Sequence, residues 1–149
     1  MKSCIERVLV VDDEIEFVQS VKRHLKRKGF VIDFALNGNS ACMTMLALEE
    51  KKRFYDLVIT DVVMPRMDGI SLLRWIHDTY PGTSVMVVSE FVGIMHLETK
   101  IRPELDDIGR KPMTPESMLQ LINGISRKRD RWRQSLQNPY LSNLHKGSA

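Results

Sequence analysis

The sequence has few cysteines and no long apolar run, and each absence excludes a class of protein. Cys4 and Cys42 are the only cysteines among 149 residues, and their spacing fits neither a disulfide framework nor a metal site. No apolar stretch approaches the roughly 18–20 residues that a membrane-spanning helix needs. Charges interrupt the apolar residues near the N-terminus, so this segment lacks the pattern of a signal peptide. We therefore expect a cytoplasmic protein with reduced thiols and no membrane contact.

Length and composition indicate one globular domain. Hydrophobic residues make up 43% of the chain and charged residues 28%, which is the balance of a chain that folds around a core. We expect this domain over residues 5–127. Residues 128–149 are polar and basic, and we expect a frayed tail there. A helix extension, a linker to a further domain and vector-derived residues are the alternatives for this tail.

Positive charge is concentrated in two short runs, at residues 22–28 and 127–133. The formal net charge is only +3, and such runs usually form a solvated helix face or a tail. Charge alone is weak support for nucleic-acid binding, so we do not expect this domain to bind nucleic acid.

Strand-like and helix-like segments alternate about five times along the chain. Short apolar, β-branched runs predict strands at 6–12, 30–36, 55–61, 84–89 and 106–110. Helical spacing and capping residues predict helices at 14–28, 40–51, 70–80, 91–102 and from Pro115 onward. In the second helix we expect Met43, Leu46 and Ala47 to face inward. This alternation is typical of a doubly wound α/β fold, in which helices cover both faces of a parallel sheet.

Polar side chains stand at the carboxyl ends of the predicted strands. Asp12 and Asp13 end the first strand, Asp61 ends the third, Ser89 ends the fourth, and Lys111 follows the fifth. Open α/β sheets bind ligands beyond this edge, where the strand order reverses. If the first and third strands are neighbours, three carboxylates share one pocket and repel one another. A divalent cation removes that conflict, and clustered oxygens suit Mg²⁺.

A cation in this pocket makes phosphoryl transfer feasible. A carboxylate can attack phosphorus and form an acyl phosphate, while a metal ion, a lysine and a hydroxyl bind the phosphoryl oxygens. Asp61 is therefore the candidate nucleophile, and Lys111 and Ser89 are candidate phosphoryl ligands. A phosphohydrolase is an alternative, but such enzymes commonly carry D-x-D after the first strand, where this chain has Asp12-Asp13. Flavin binding is disfavoured because acidic residues occupy the loop that would hold its phosphate.

These segments resemble the response-regulator receiver family over about residues 5–125. The matching pieces are VLVVDDE at 8–14, DLVITDVVMPRMDG at 56–69, Ser89 after the fourth strand, and Lys111-Pro112. The resemblance implies a flavodoxin-like fold similar to that of chemotaxis regulators. Its single domain is a five-stranded parallel sheet in the order 2-1-3-4-5.

The resemblance also implies a role for each acidic residue. Asp61 is similar to the phosphoacceptor of the family. Asp12 and Asp13 are similar to the pair that coordinates Mg²⁺ directly or through water. Asp61 itself and the backbone carbonyl of Val63 would complete the metal ligands.

A switching role follows for two further residues. Lys111 would pair with the phosphoryl oxygens, and Ser89 would move to hydrogen-bond the phosphoryl group. That movement would convert a local change of charge into a change of the surface near the fourth helix and the fifth strand. A few kcal/mol of differential contact is enough to shift a two-state population in this way.

The family resemblance sets expectations about partners. A sensor histidine kinase or a phosphotransfer protein would donate the phosphoryl group. A downstream protein, or an output domain that this chain lacks, would respond to it. Many relatives form homodimers through the fourth helix, the fifth strand and the last helix, and a homodimer stays open here. We expect no turnover enzyme, because the domain would phosphorylate itself and slowly lose the group.

Several positions depart from the family pattern. Glu90 replaces the usual small residue after the switch hydroxyl, and Ile108 replaces the aromatic residue near the fifth strand. Segment 91–107 lacks the usual Ala/Gly-rich fourth helix. The alternative function is therefore a pseudo-receiver, which would bind partners without phosphorylation. We also hypothesise that bulky Val63 and Phe91 shield an acyl phosphate from water.

Overall fold

Five parallel strands form one sheet in the computed structural model, which describes residues 4–64, 66–90 and 96–138. The strands are β1 (Arg7–Val11), β2 (Val31–Ala35), β3 (Leu57–Thr60), β4 (Ser84–Ser89) and β5 (Asp107–Arg110). Their order is β2-β1-β3-β4-β5, as predicted. All residues of β3 and β4 are buried, because these central strands are covered on both faces.

Four α-helices cover the sheet within the described ranges: α1 (Ile15–Arg27), α2 (Gly38–Glu50), α3 (Gly69–Thr79) and α4 (Pro115–Gln137). Polar side chains fix where three of them begin: the backbone N–H of the third helical residue donates to Asn37 before α2, to Asp68 before α3 and to Thr114 before α4. The apolar side chains of α2 and α3 pack on one face of the sheet, and those of α1 and α4 pack on the other. The predicted doubly wound architecture is thus confirmed. None of these helices has the length and apolar character needed to cross a membrane.

The register of β1 and β3 places two strand ends side by side. Val11, the last residue of β1, pairs with Thr60, the last residue of β3. The next residues, Asp12 and Asp61, therefore leave the sheet together at its carboxyl edge. The condition on which the predicted site depends, that the first and third strands are neighbours, is met.

Two details of the predicted helices are wrong. Met43 is 72% exposed, Leu46 is 45% exposed and Ala47 is also exposed, so none of the three faces inward. Ala41 and Met45 supply the buried face of α2 instead. The helix predicted at 91–102 falls partly outside the described residues. Within 96–102 only a short 3₁₀ helix forms, at Leu97–Thr99. His96 before it has a φ of 49°, in the left-handed region, which ends regular helix geometry there.

α4 extends ten residues past residue 127, where we placed the domain boundary, and ends at Gln137. Arg129, within this extension, is 5% exposed. One terminal nitrogen of its guanidinium, Nη1, donates to the backbone carbonyls of Asp56 and Gly82 at 2.9 and 2.8 Å and lies 3.0 Å from the Ser84 hydroxyl. The extension is therefore fastened to the amino ends of β3 and β4.

A buried acidic residue connects β4 with the segment that precedes β5. The side chain of Asp106 is fully buried, and the backbone N–H of Val85 in β4 donates to it at 2.8 Å. The backbone N–H of Arg102 donates at 2.8 Å and its side-chain Nε at 3.2 Å. These contacts hold the chain between the 3₁₀ helix and β5 against the sheet.

Candidate functional site

Three carboxylates meet at the carboxyl edge of the sheet. One oxygen from each of Asp12, Asp13 and Asp61 can be chosen so that all lie within 4.8 Å of one another. Asp12 is buried, Asp61 is partly buried, and Asp13 is exposed to solvent. The structure thus brings together the acidic residues that the sequence placed at the ends of two different strands.

Lys111 places its ammonium group among these carboxylates. Its Nζ donates to Asp12 at 2.6 Å and to Asp61 at 3.3 Å, and it lies 3.6 Å from a carboxylate oxygen of Glu14. The same atom stands 4.4 Å from the centre of the Phe17 ring, which adds a cation–π contact. Lys111 supplies the positive charge that the acidic cluster needs for its stability.

Burial and charge shift two pKa values in this cluster. Burial raises the pKa of Asp12 above its ordinary 3.8, although hydrogen bonds from Lys111 and from the backbone of Glu14 oppose the shift. For Lys111, burial acts to lower the pKa, but the hydrogen bond and charge of Asp12, together with Asp61, outweigh it and raise the pKa above 10.5. Lys111 therefore stays charged at neutral pH.

Backbone groups orient the carboxylates of Asp12 and Asp61. One oxygen of Asp61 accepts a hydrogen bond from the N–H of Val62 at 2.7 Å, and one oxygen of Asp12 accepts from the N–H of Glu14 at 2.9 Å. The other oxygen of each residue, Oδ2, faces Lys111. Each carboxylate is thus fixed in direction by its own loop and presents its second oxygen to the Lys111 ammonium.

Gly69 allows the loop that follows Asp61 to close tightly. Its N–H donates to the carbonyl of Val62 at 2.9 Å, just where α3 begins. A Cβ at this position would collide with the backbone carbonyl oxygen of Asp61. The absence of a side chain at Gly69 therefore lets α3 approach the loop that follows Asp61.

A pocket of about 230 Å³ opens over the cluster. Its lining includes the predicted Asp13, Asp61, Val63, Ser89 and Lys111, together with Glu14 and Glu90. Ser89 is buried and Val63 is 58% exposed. Apart from Asp12, which lies beneath Lys111, every predicted site residue therefore borders one cavity.

Sequence reasoning did not assign a role to Glu14 or Phe17. Glu14 directly follows the acidic pair, so its place beside Lys111 has a sequence signal. Phe17 has no such signal, because its contact with Lys111 joins residues far apart in the chain. An apolar residue of α1 was expected to serve the core alone.

The structure describes two of the positions that depart from the family pattern, Glu90 and Ile108. Glu90 is exposed and lines the pocket, where it adds a further acidic residue. Ile108 pairs with Val87 across β4 and β5 and packs against the core. Phe91 lies outside the described residues.

The donor set of this site suits a hard divalent cation. The converging groups are carboxylate oxygens with no sulfur or imidazole ligand within the described cluster. Such oxygens are typical ligands of Mg²⁺, which is commonly held by one or two carboxylates and several waters. Asp13 is exposed to solvent, which leaves room for those waters.

Comparison with known proteins places this chain in a family. The chain shares 27% identity over 122 residues with the response regulator MprA of Mycolicibacterium vanbaalenii, covering 82% of this chain and 51% of that protein. The chain thus spans about half the length of the curated relatives it matches. The family profile described as the response regulator receiver domain matches residues 8–123.

Solved structures agree in fold. A CheY-like receiver domain protein of Methanospirillum hungatei has a TM-score of 0.72 at 21% identity, over 85% of this chain and 98% of that chain. TrrA of Thermotoga maritima, a response regulator protein solved in complex with Mg²⁺-BeF, has a TM-score of 0.66 at 22% identity, over 81% and 99%. The molecule is a CheY-like, flavodoxin-type α/β domain. It belongs to the response regulator receiver family of two-component systems.

Proposed function

We propose that this receiver domain accepts a phosphoryl group on Asp61 in a Mg²⁺-dependent reaction. The observation that carries the proposal is the position of Lys111, whose ammonium lies between the carboxylates of Asp12 and Asp61 in a pocket open to solvent. Asp61 is the better acceptor of the two because it borders that pocket, whereas Asp12 is 1% exposed.

Asp12, Asp13 and Asp61 would hold the metal ion, and the backbone carbonyl of Val63 is the further proposed ligand. When bound, Mg²⁺ neutralises the charge of the carboxylates and of the phosphoryl oxygens. The Mg²⁺-BeF complex of the Thermotoga neighbour supports the choice of this ion.

In the transfer step, an oxygen of the Asp61 carboxylate attacks phosphorus. An O–P bond forms, and the bond from phosphorus to the donor breaks, with its electron pair leaving on the donor. With a phosphohistidine donor, the bond that breaks is N–P. Lys111 would pair with the phosphoryl oxygens, and its positive charge at neutral pH suits that task.

Ser89 would report the phosphorylated state. It ends β4, borders the pocket and is followed by Glu90. A hydrogen bond from the Ser89 hydroxyl to the phosphoryl group would draw this end of β4 inward. Because β4 pairs with β5, the displacement would reach the segment between them and the adjoining surface.

A sensor histidine kinase or a phosphotransfer protein is the proposed donor, and a downstream protein or further domain is the proposed target. The domain would act as a switch and not as a turnover enzyme. One phosphoryl group would be accepted per chain and slowly lost to water. Cytoplasmic location is part of the same proposal, because kinases of this type phosphorylate their regulators there.

Intact-protein mass spectrometry after incubation with acetyl phosphate and Mg²⁺ tests the proposal. We expect one added phosphoryl group, absent in Asp61→Asn and absent when a chelator removes the metal. Asp68→Asn is a matched control, because it changes a nearby acidic residue of the same loop that serves as the cap of α3.

Failure of every donor, including a purified histidine kinase, to add mass would overturn the proposal. It would favour the pseudo-receiver, for which Glu90 in the pocket lining is the specific structural argument. In that case partner binding by the wild-type chain and by Asp61→Asn should be identical.

A further inference from the structure

The last helix carries a stripe of side chains that continues past the edge of the sheet. Its members follow one another at intervals of four, three, four, three and four residues: Met118, Ile122, Ile125, Arg129, Trp132 and Leu136. This spacing keeps the whole stripe on one face of a helix. Its members up to Arg129 are buried, whereas Leu136 is 42% exposed.

Beyond Arg129, the helix that carries the stripe projects past the amino ends of the strands. This residue contacts the backbone just before β3 and β4, so the sheet ends at its level. From Arg129 to Gln137 the helix continues for roughly 12 Å at 1.5 Å per residue. That part lies beyond residues 8–123, which the family profile matches. We call the face that carries Trp132 and Leu136 here the distal face of α4.

A pocket of about 270 Å³ lies beside the distal face. Its lining is Pro103, Glu104, Lys128, Arg131, Trp132 and Ser135. Trp132 is partly buried and Pro103 is exposed. Together they form an apolar wall of the pocket, and the pocket is large enough to hold an aliphatic side chain.

Positive charge borders the distal face. Arg131 and Arg133 are exposed, and within the described ranges neither forms an ion pair with a carboxylate. Lys128 differs, because it lies 3.4 Å from Asp107. The distal face therefore combines an apolar strip with two arginines available to an acidic partner.

We infer that the distal face of α4 docks an amphipathic helical segment of a partner protein, with acidic side chains beside its apolar ones. Apolar side chains of the partner would cover Trp132 and Leu136 and enter the pocket. Its carboxylates would meet Arg131 and Arg133. Helices dock on such surfaces through apolar anchors at i, i+3, i+4 and i+7, and complementary charge selects the partner.

Other occupants fit the charges less well. In a parallel pair of two copies, Arg133 of one copy would lie beside Lys128 of the other, and the two positive charges would repel each other. Nucleic acid would bring phosphates towards Glu104 and would leave Leu136 uncovered. Residues 139–149 of the chain contain no Asp or Glu, so they offer no charge complement to the arginines.

Fluorescence of Trp132 in the full chain provides the test. The chain has two tryptophans, so Trp75→Phe makes Trp132 the only one. The probe is a synthetic helical peptide of leucine and glutamate with its leucines on one face. The control peptide has the same composition but an order that spreads the leucines around the helix.

We expect saturable binding of the amphipathic peptide with a shift of Trp132 emission, about tenfold tighter than that of the control peptide. Leu136→Asp and the double variant Arg131→Glu/Arg133→Glu should each weaken binding by about tenfold. Lys51→Glu/Arg74→Glu makes the same change of charge at exposed positions near the other face of the sheet, and it should leave binding unchanged.

Several outcomes would overturn the inference. Absence of binding, or equal binding of the two peptides, would show that the face does not recognise an amphipathic helix. Tighter, salt-dependent binding of duplex DNA would assign the face to nucleic acid. Dimerisation that Leu136→Asp abolishes would assign it to a second copy. If removal of residues 139–149 alone shifts Trp132 emission and opens the face to the peptide, the chain covers it itself.

Discussion

The carboxylate of Asp106 lies 2.9 Å from Nε2 of His77 and is completely enclosed by protein. Burial alone would raise the pKa of Asp106, but hydrogen bonds from His77 and Arg102 outweigh it and lower the pKa below 3.8. Asp106 thus stays ionised within the interior and joins α3, β4 and the segment before β5 through a single side chain.

Replacing Asp106 with asparagine should destabilise the fold. We expect Asp106→Asn to lower the free energy of unfolding at pH 7 by about 3 kcal/mol, because the buried donors lose an ionised acceptor. Since the folded pKa lies below the unfolded value of 3.8, this contribution is complete above that value and is lost as the pH falls through the folded pKa. Urea titrations from neutral to acid pH would measure the difference. A difference that stays constant down to the acid limit would contradict the assignment, and partly exposed Asp107→Asn is the control.

Removing the ammonium of Lys111 should leave the repulsion among the neighbouring carboxylates uncompensated and so destabilise the fold. In the absence of Mg²⁺ we expect Lys111→Met to lower the free energy of unfolding by about 2 kcal/mol, because buried Asp12 loses its cation. Mg²⁺ should then stabilise the variant more than it stabilises the wild type. Thermal unfolding with chelator and with Mg²⁺ would show this, and equal shifts in both proteins would argue against the placement of the metal beside Lys111.

The metal should stabilise the folded chain through Asp13. Ligands that bind only the folded state raise the unfolding temperature with concentration, so Mg²⁺ should raise it for the wild type. We expect Asp13→Asn to require about tenfold more Mg²⁺ for the same shift, as is typical for the loss of a ligand or its supporting group. Asp78→Asn, an exposed acid on α3, should behave like the wild type. Identical Mg²⁺ titrations of the two variants would remove Asp13 from the site.

The side chain of Val63 should affect how long an acyl phosphate survives. It is 58% exposed at the rim of the pocket, where it can exclude water from the acceptor. We expect Val63→Asn to shorten the lifetime of the phosphorylated protein severalfold, because a polar side chain admits and orients water. Mass spectrometry over time after removal of acetyl phosphate would follow the decay. A longer lifetime in the variant would reject the shielding hypothesis.

Much of the fold follows from local sequence patterns. Short apolar, β-branched runs identified the strands, and the first and third runs stop at acids. Capping residues such as Asn37, Asp68 and Thr114 stood close to the predicted helix starts. The strand order rested on the family resemblance, because alternation alone does not select neighbours. Once the order was known, the register of β1 and β3 brought Asp12 and Asp61 together.

Local patterns did not predict the inner face of α2 or the extension of α4, because both depend on contacts between residues far apart in the chain. The inner face of α2 was misjudged because its apolar residues surround the helix, so periodicity did not distinguish Met43 from Met45. The extension of α4 carries many charges and looked like a tail. Its packing depends on one buried cation, Arg129, whose partners lie 45 to 73 residues away in the chain. Sequence reading gave no reason to bury an arginine in a basic run.

The hydrogen bonds of Arg129 hold α4 at one point along its length, so displacement of one end of the helix also displaces the other. The helix begins close after Lys111 at the carboxyl edge of the sheet, is held near Arg129 at the opposite edge, and projects beyond it. At 1.5 Å per residue the whole helix is roughly 34 Å long. If α4 tilts about Arg129, its C-terminal end moves in the direction opposite to its N-terminal end near the acidic cluster. A single helix thus connects the carboxyl ends of the strands with their amino ends.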